Sequence, residues 1–202
     1  MSLAAGALPS SGAPAAPRSL LVWGGLAIIY VVWGSTYLAI RVMVETIPPL
    51  LGAGARFVIA GALMLALLAA FRHDIRPTRR QLAGAGLVGL LLPGANAVVS
   101  LAEVDVPSNL AALLIASVPL ILIVLRRFAG DPVARASYLG VVIGFGGVAL
   151  LLLAGERPDG ATLGGMLLCV VAASMWASGS FAGSRIDLPD DVLVSTAWQM
   201  LL

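Results

Sequence analysis

Arg56 is the residue best placed to do chemistry, because it is a cation inside a long apolar run. It lies about ten residues into the run Ile47–Phe71, near the middle of a helix long enough to cross a bilayer. A charged side chain at that depth costs about 2.5–3.5 kcal/mol on insertion scales, so it should face other helices or water. It could hold a substrate carboxylate or phosphate. It could equally bind helix-end carbonyls or an acid such as Glu103, and the sequence leaves both interpretations open.

Other polar and aromatic side chains in or beside the apolar runs are further candidates for a substrate path. They could line a cavity, or they could only pack and hydrogen-bond between helices. Prolines at 93 and 119 remove backbone donors and could open polar backbone toward a cavity, or form tolerated kinks. The candidates are Trp33, Ser35, Thr36 and Tyr37 in the first run, Asn96 in the third, Glu103 at its outer end and Trp176 in the sixth.

Two charged residues near the outer ends of these runs have simpler explanations, which we favour. Glu103 could be a proton-coupling carboxylate, but a solvated loop acid is the preferred interpretation. Arg41 closes the first run, and its long side chain can extend to the lipid headgroups.

Motifs for enzymatic, metal or cofactor chemistry are not found in the chain. The single His73 and the single Cys169 provide no ligand cluster, and no Walker loop, H-E-x-x-H or G-x-S-x-G occurs. Residues 84–89 match the dinucleotide pattern G-x-G-x-x-G, but they lie inside an apolar run with no preceding strand. Close packing of membrane helices explains these glycines better. We therefore expect no enzyme, no cofactor and no metal.

Composition identifies the medium as the lipid bilayer. Hydrophobic residues make up 60% and charged residues 11% of the 202 residues, and the mean hydropathy is +1.02. This pattern is typical of an all-α polytopic membrane helix bundle. Runs long enough to span are Leu20–Ile40, Ile47–Phe71, Leu82–Ala102, Val106–Leu125, Tyr138–Ala154 and Ala161–Gly183, and a seventh begins near Val192.

The distribution of arginine predicts the orientation. Arg72, Arg76, Arg79 and Arg80 follow the second run, and Arg126, Arg127 and Arg135 follow the fourth, whereas the alternate loops are mostly acidic. The positive-inside rule makes the Arg-rich loops and the N-terminus cytoplasmic. The net charge of +2 then reflects topology, and nucleic acid is not an expected partner.

An internal repeat is visible when the chain is shifted by 143 residues, which places Trp33 over Trp176 and Ser35 over Ser178. Because five spans is an odd number, the second copy should be inverted relative to the first, as in many secondary transporters. We expect a disordered tail over 1–19, a complete five-span unit over 20–154 and a second unit, cut short, over 161–202. A homodimer could supply what the second copy lacks.

Three stretches resemble the EamA family of the drug/metabolite transporter superfamily. They are Trp33 to Arg41, then Pro48-Pro49 with Arg56-Phe57 and Gly61, then Asn96 to Glu103 with Val106 to Leu114 and Pro119-Leu120. The resemblance implies ten spans in two inverted units, and export of amino acids or related small metabolites through the inner membrane. Drug or cation efflux and a non-transporting truncated remnant are the alternatives.

Overall fold

The computed structural model describes residues 19–153 and 161–202. Within those residues the regular structure is entirely helical. The helices are α1 (Ser19–Val44), α2 (Pro49–Ala70), α3 (Arg79–Ala102), α4 (Ser108–Ile115), α5 (Val118–Phe128), α6 (Arg135–Leu153), α7 (Leu163–Gly183) and α8 (Val192–Leu201). The predicted tail over 1–19 lies almost wholly outside the described residues.

Five helical segments are long and apolar enough to cross a membrane, which confirms the all-α polytopic prediction. They are Val22–Val44, Pro49–Ala70, Arg79–Ala102, Ser108–Phe128 and Leu163–Gly183. The predicted span Tyr138–Ala154 corresponds to α6 (Arg135–Leu153), which is apolar, and α8 is a shorter apolar helix.

Side-chain caps mark the starts of two helices, α3 and α8. The α3 start is a capping box in which the Thr78 side chain accepts from the Gln81 backbone N–H and the Gln81 side chain accepts from the Thr78 N–H. Asp191 accepts from two backbone N–H groups at the start of α8. These side chains satisfy donors that a first helical turn leaves unpaired.

The two internal prolines act differently. Before Pro119 the span Ser108–Phe128 is interrupted at Ala116–Ser117, and the buried Ser117 hydroxyl donates to the Leu114 carbonyl at 2.7 Å. The regular helix is therefore broken at this position. Pro93 lies inside α3, which continues through it without a break. The sequence suggested that Pro93 could open polar backbone toward a cavity, but the helix is continuous there.

Chain segments up to Thr36 and from Tyr37 onward form two separate compact units. In the second unit, α3 packs against α2, α7 and α8, and α7 also packs against α4 and α5. Glycines permit the closest approaches. Gly84 lies against the Asp187 carbonyl, and Gly89 lies against the Gln199 carbonyl. The interpretation of these two glycines as packing positions is confirmed.

Helices α2 and α8 are antiparallel. The end of α2 leads to His73, whose Nδ1 lies 2.6 Å from the carboxylate of Asp191 at the start of α8. Further back along α2, Gly61 lies against Ala197 and Met200. At the same end, Asp131 after α5 pairs with Arg126 and with Arg185 after α7. The two Arg-rich loops, after α2 and after α5, thus both contact the loop between α7 and α8.

Replacing Gly89 with Ala should destabilise the bundle, because the new methyl group would collide with the backbone of α8, which cannot rotate away. Overpacking of this kind costs about 1–3 kcal/mol. Gly86 is the matched control, since a methyl group there would make only ordinary contact, at 3.8 Å, with Leu202. Thermal unfolding in detergent should show a lower midpoint for Gly89→Ala than for Gly86→Ala. Equal midpoints would contradict the close approach.

Candidate functional site

Arg56 lies half-buried in the first half of α2. Its Nη2 donates to Oδ1 of Asn96 on α3 at 3.5 Å, the long limit of a hydrogen bond. The guanidinium carbon lies 4.8 Å from the centre of the neighbouring Phe57 ring. The structure therefore brings together two residues that the sequence nominated from separate spans, Arg56 and Asn96.

Asn96 is oriented by its own helix. Its Nδ2 donates to the Leu92 carbonyl at 3.3 Å, which leaves Oδ1 for Arg56. One turn later, the hydroxyl of buried Ser100 donates to the Asn96 carbonyl at 2.9 Å. Bonds of this type to the carbonyl four residues earlier keep polar side chains satisfied inside a helix.

Arg56 keeps an uncompensated charge in the part of the chain that the structure describes. No Asp or Glu there forms an ion pair with it, so the sequence alternative of a tie to Glu103 is not what is found. A guanidinium has five N–H donors, and Asn96 uses one. The remaining donors could bind an anionic group with paired, charge-assisted hydrogen bonds.

Glu103 is fully buried, so the preferred expectation of a solvated loop acid is wrong. Its side chain is 0% exposed, although the next two residues, Val104 and Asp105, are exposed. The physical reason is the tight turn of the chain between α3 and α4. Ala102 and Val106 on either side belong to one apolar cluster with Leu110 and Cys169, so the side chain between them is enclosed. Neither carboxylate oxygen has a hydrogen-bond partner among the described residues.

Arg41 binds the end of α3, which replaces the expectation that it extends to lipid headgroups. Its Nη1 donates to the backbone carbonyls of Glu103 and, at 3.3 Å, Val104. The last carbonyls of a helix lack intrahelical donors and carry partial negative charge, so a cation there is favourable. Arg41 thus acts as a side-chain cap for α3 from the neighbouring helix.

Burial raises the pKa of the Glu103 carboxyl to about 7, an effect that Arg41 partly opposes. Glu103 follows the last residue of the span Arg79–Ala102. Its carboxyl interacts electrostatically with Tyr37 of α1 and Cys169 of α7.

The aromatic candidates divide into two sets. Tyr37 and Trp176 pack against one buried cluster, Ile40, Ala95, Val99 and Ala172. Trp33, Ser35 and Thr36 lie in the separate first unit. There both hydroxyls donate to the Val32 carbonyl of their own helix, at 3.0 and 2.8 Å.

The sequence did not predict two interactions, namely the cap that Arg41 forms on α3 and the proximity of Cys169 to Glu103. One signal was available for the burial of Glu103. The buried residues Val99, Ala102 and Val106 are spaced at helical intervals, and Glu103 falls four residues after Val99 on the same face.

The chain matches the EamA-like transporter family over residues 21–153. The chain belongs to this family. It is 42% identical over 175 residues to the uncharacterized inner membrane transporter YedA of Escherichia coli strain K12, covering 85% of this chain and 56% of the relative. It is 24% identical over 183 residues to the uncharacterized transporter YoaV of Bacillus subtilis strain 168, covering 88% and 62%. No solved structure matches significantly.

This chain thus spans a little over half the length of the curated relatives it matches. The YedA similarity and the apolar helices support a multi-pass protein of the inner membrane. The matched relatives are named transporters and not enzymes.

The buried carboxyl makes stability depend on pH. Folding raises the pKa of Glu103 from 4.5 to about 7. The stability that proton binding by Glu103 gives the folded state is therefore complete below pH 4.5 and is lost as pH rises through 7. The full difference is on the order of 3 kcal/mol. Glu103→Gln should therefore gain stability relative to the unsubstituted chain between pH 5 and pH 8, measured by thermal unfolding. The exposed acid control Asp105→Asn should show no such gain, and a pH-independent difference for Glu103→Gln would contradict the burial.

Proposed function

We propose that the complete protein is a secondary transporter that exports small metabolites, such as amino acids or their derivatives, across the inner membrane by alternating access. The observation that carries this proposal is Arg56, a cation within a spanning helix whose hydrogen-bond partner, Asn96, is neutral. Such a charge is expensive in hydrocarbon and typically marks a substrate path. The positive charge suits carboxylates, and hence anionic or zwitterionic cargo.

The proposed path combines Arg56 and Asn96 with the aromatic side chains of Tyr37 and Trp176, and with Glu103 at the outer end of α3. For Trp33, Ser35 and Thr36, which belong to the separate first unit, a role in the path stays a prediction from the sequence. Aromatic rings beside a charged group can take the apolar part of an amphipathic metabolite while the cation fixes its orientation.

The inverted repeat is part of the proposal. The 143-residue shift pairs the first residue of α2, Pro49, with the first residue of α8, Val192. The antiparallel packing of these two helices against each other supports units of opposite direction, over 20–154 and 161–202. With the Arg-rich loops inside, the N-terminus would be cytoplasmic.

Efflux of cationic compounds is a second candidate, and one observation favours it. Glu103 is a buried carboxyl without a hydrogen-bond partner in the described residues, and in its ionised form an acid near aromatic rings could hold a cation. Arg56→Glu separates the two candidates. Export that depends on Arg56 should lose anionic and zwitterionic cargo, whereas cation efflux that depends on Glu103 should continue.

Export by Arg56→Ala should fall by roughly 10- to 100-fold, the equivalent of one charge-assisted hydrogen bond of about 1.5–3 kcal/mol. The measurement is efflux from cells producing the full-length protein, with a panel of amino acids and their derivatives followed by mass spectrometry. Arg56→Lys should keep part of the activity because it keeps the charge.

Arg127→Ala is the matched control, since Arg127 is an exposed arginine at the end of α5. All variants must reach the membrane in equal amounts. Undiminished export by Arg56→Ala would remove Arg56 from the substrate path.

A further inference from the structure

The Glu103 carboxyl is enclosed without a hydrogen-bond partner or an ion pair in the part of the chain described here. An ionised carboxylate in such a place is strongly unfavourable, and the usual response is to take up a proton. The C-terminal end of α3 adds partial negative charge at the same point, which favours the protonated form further.

Among residues 19–153 and 161–202, the titratable neighbours of Glu103 come from two helices and one loop. Arg41 and Tyr37 lie on α1 and Cys169 on α7, and exposed Asp105 follows in the same turn. Helix α4 contributes no titratable side chain. Arg41 is the one cation of the group, and its Nη1 is held by backbone carbonyls and not by the carboxylate.

We propose that Glu103 is a proton-binding site that controls the opening of this end of the bundle. Its carboxyl is protonated while α1, α4 and α7 enclose it. When the packing opens to water, the O–H bond breaks and the proton passes to water. When the packing closes, the carboxylate takes a proton back from the same water.

If the transport proposed above holds, the same site makes the opening of this end of the transporter depend on pH. Proton binding and opening, however, are properties of the chain itself and can be measured without any substrate. A failure of transport would leave them intact, and their failure would leave transport intact.

The size of the effect follows from linkage. The pKa of the enclosed carboxyl is about 7, against 4.5 for an ordinary glutamate. The open form is then favoured about tenfold more at pH 8 than at pH 6, because ionisation stabilises only the form in which the carboxylate meets water.

Cys169 provides a built-in reporter of opening. It is the single cysteine in the sequence, it is 0% exposed, and it lies close enough to Glu103 for electrostatic interaction. Maleimide should therefore modify it only when this end of the bundle opens. The experiment measures the maleimide reaction rate of the full chain in detergent at pH 6 and pH 8, and divides it by the rate for Glu103→Gln at the same pH.

Dividing by the rate for Glu103→Gln removes the ordinary dependence of the thiol reaction on pH. We expect this ratio to rise about tenfold from pH 6 to pH 8. A negative charge on Glu103 would itself disfavour the reactive thiolate, so it works against the expected rise. Asp105→Asn should behave as the unsubstituted chain does. A ratio that is equal at both pH values, which means that the rate of Glu103→Gln rises as much as that of the unsubstituted chain, would overturn the proposal.

An infrared titration keeps the test decisive if Glu103→Gln fails to fold. Labelling the glutamate carboxyl carbons with ¹³C isolates three groups, Glu45, Glu103 and Glu156. At pH 6 the unsubstituted chain should show a protonated glutamate carboxyl that disappears with a midpoint near 7. Its absence at pH 6, or a midpoint near 4.5, would also overturn the proposal.

Discussion

The cost of an unsatisfied polar group away from water governs this structure. In hydrocarbon the backbone must pair with itself, so spanning segments are helices. Side-chain hydroxyls follow the same constraint, since those of Thr36, Ser100 and Ser174 donate to carbonyls of their own helices. Where a proline interrupts a span, buried Ser117 bonds to a nearby carbonyl. Against this background of satisfied groups, a polar group that remains unpaired is a candidate for a functional role.

Close helix approach is the second requirement, because lipid tails give helices little hydrophobic reason to associate. Gly84 and Gly89 bring α3 against backbone near the end of α7 and in α8, and Gly179 brings α7 against Leu91 and Leu92 of α3. The same central helix then positions both Asn96 and Glu103. Packing of α3 therefore determines the geometry of both candidate polar sites.

The sequence predicted features that depend on position along a helix axis. Hydropathy located the spans because about 20 apolar residues cross the bilayer, and the absence of a preceding strand identified the glycine pattern as packing. The sequence failed to predict features that depend on which residues surround a side chain in three dimensions. Glu103 stands beside exposed loop residues in the sequence, and its burial follows from how α3 and α4 meet against α7. Arg41 lies 62 residues from the carbonyl of Glu103 that it binds, and no local pattern encodes that contact.

Arg56 and Glu103 illustrate two different ways to keep an ionisable group out of water. A guanidinium cannot lose its proton at physiological pH, so Arg56 stays charged and must be balanced by polar atoms, of which Asn96 provides one. A carboxyl can become neutral, so Glu103 tolerates enclosure by binding a proton. The first group therefore keeps a permanent attraction for anions. The second changes charge with its environment, and a group of this kind can link solvent access to proton concentration.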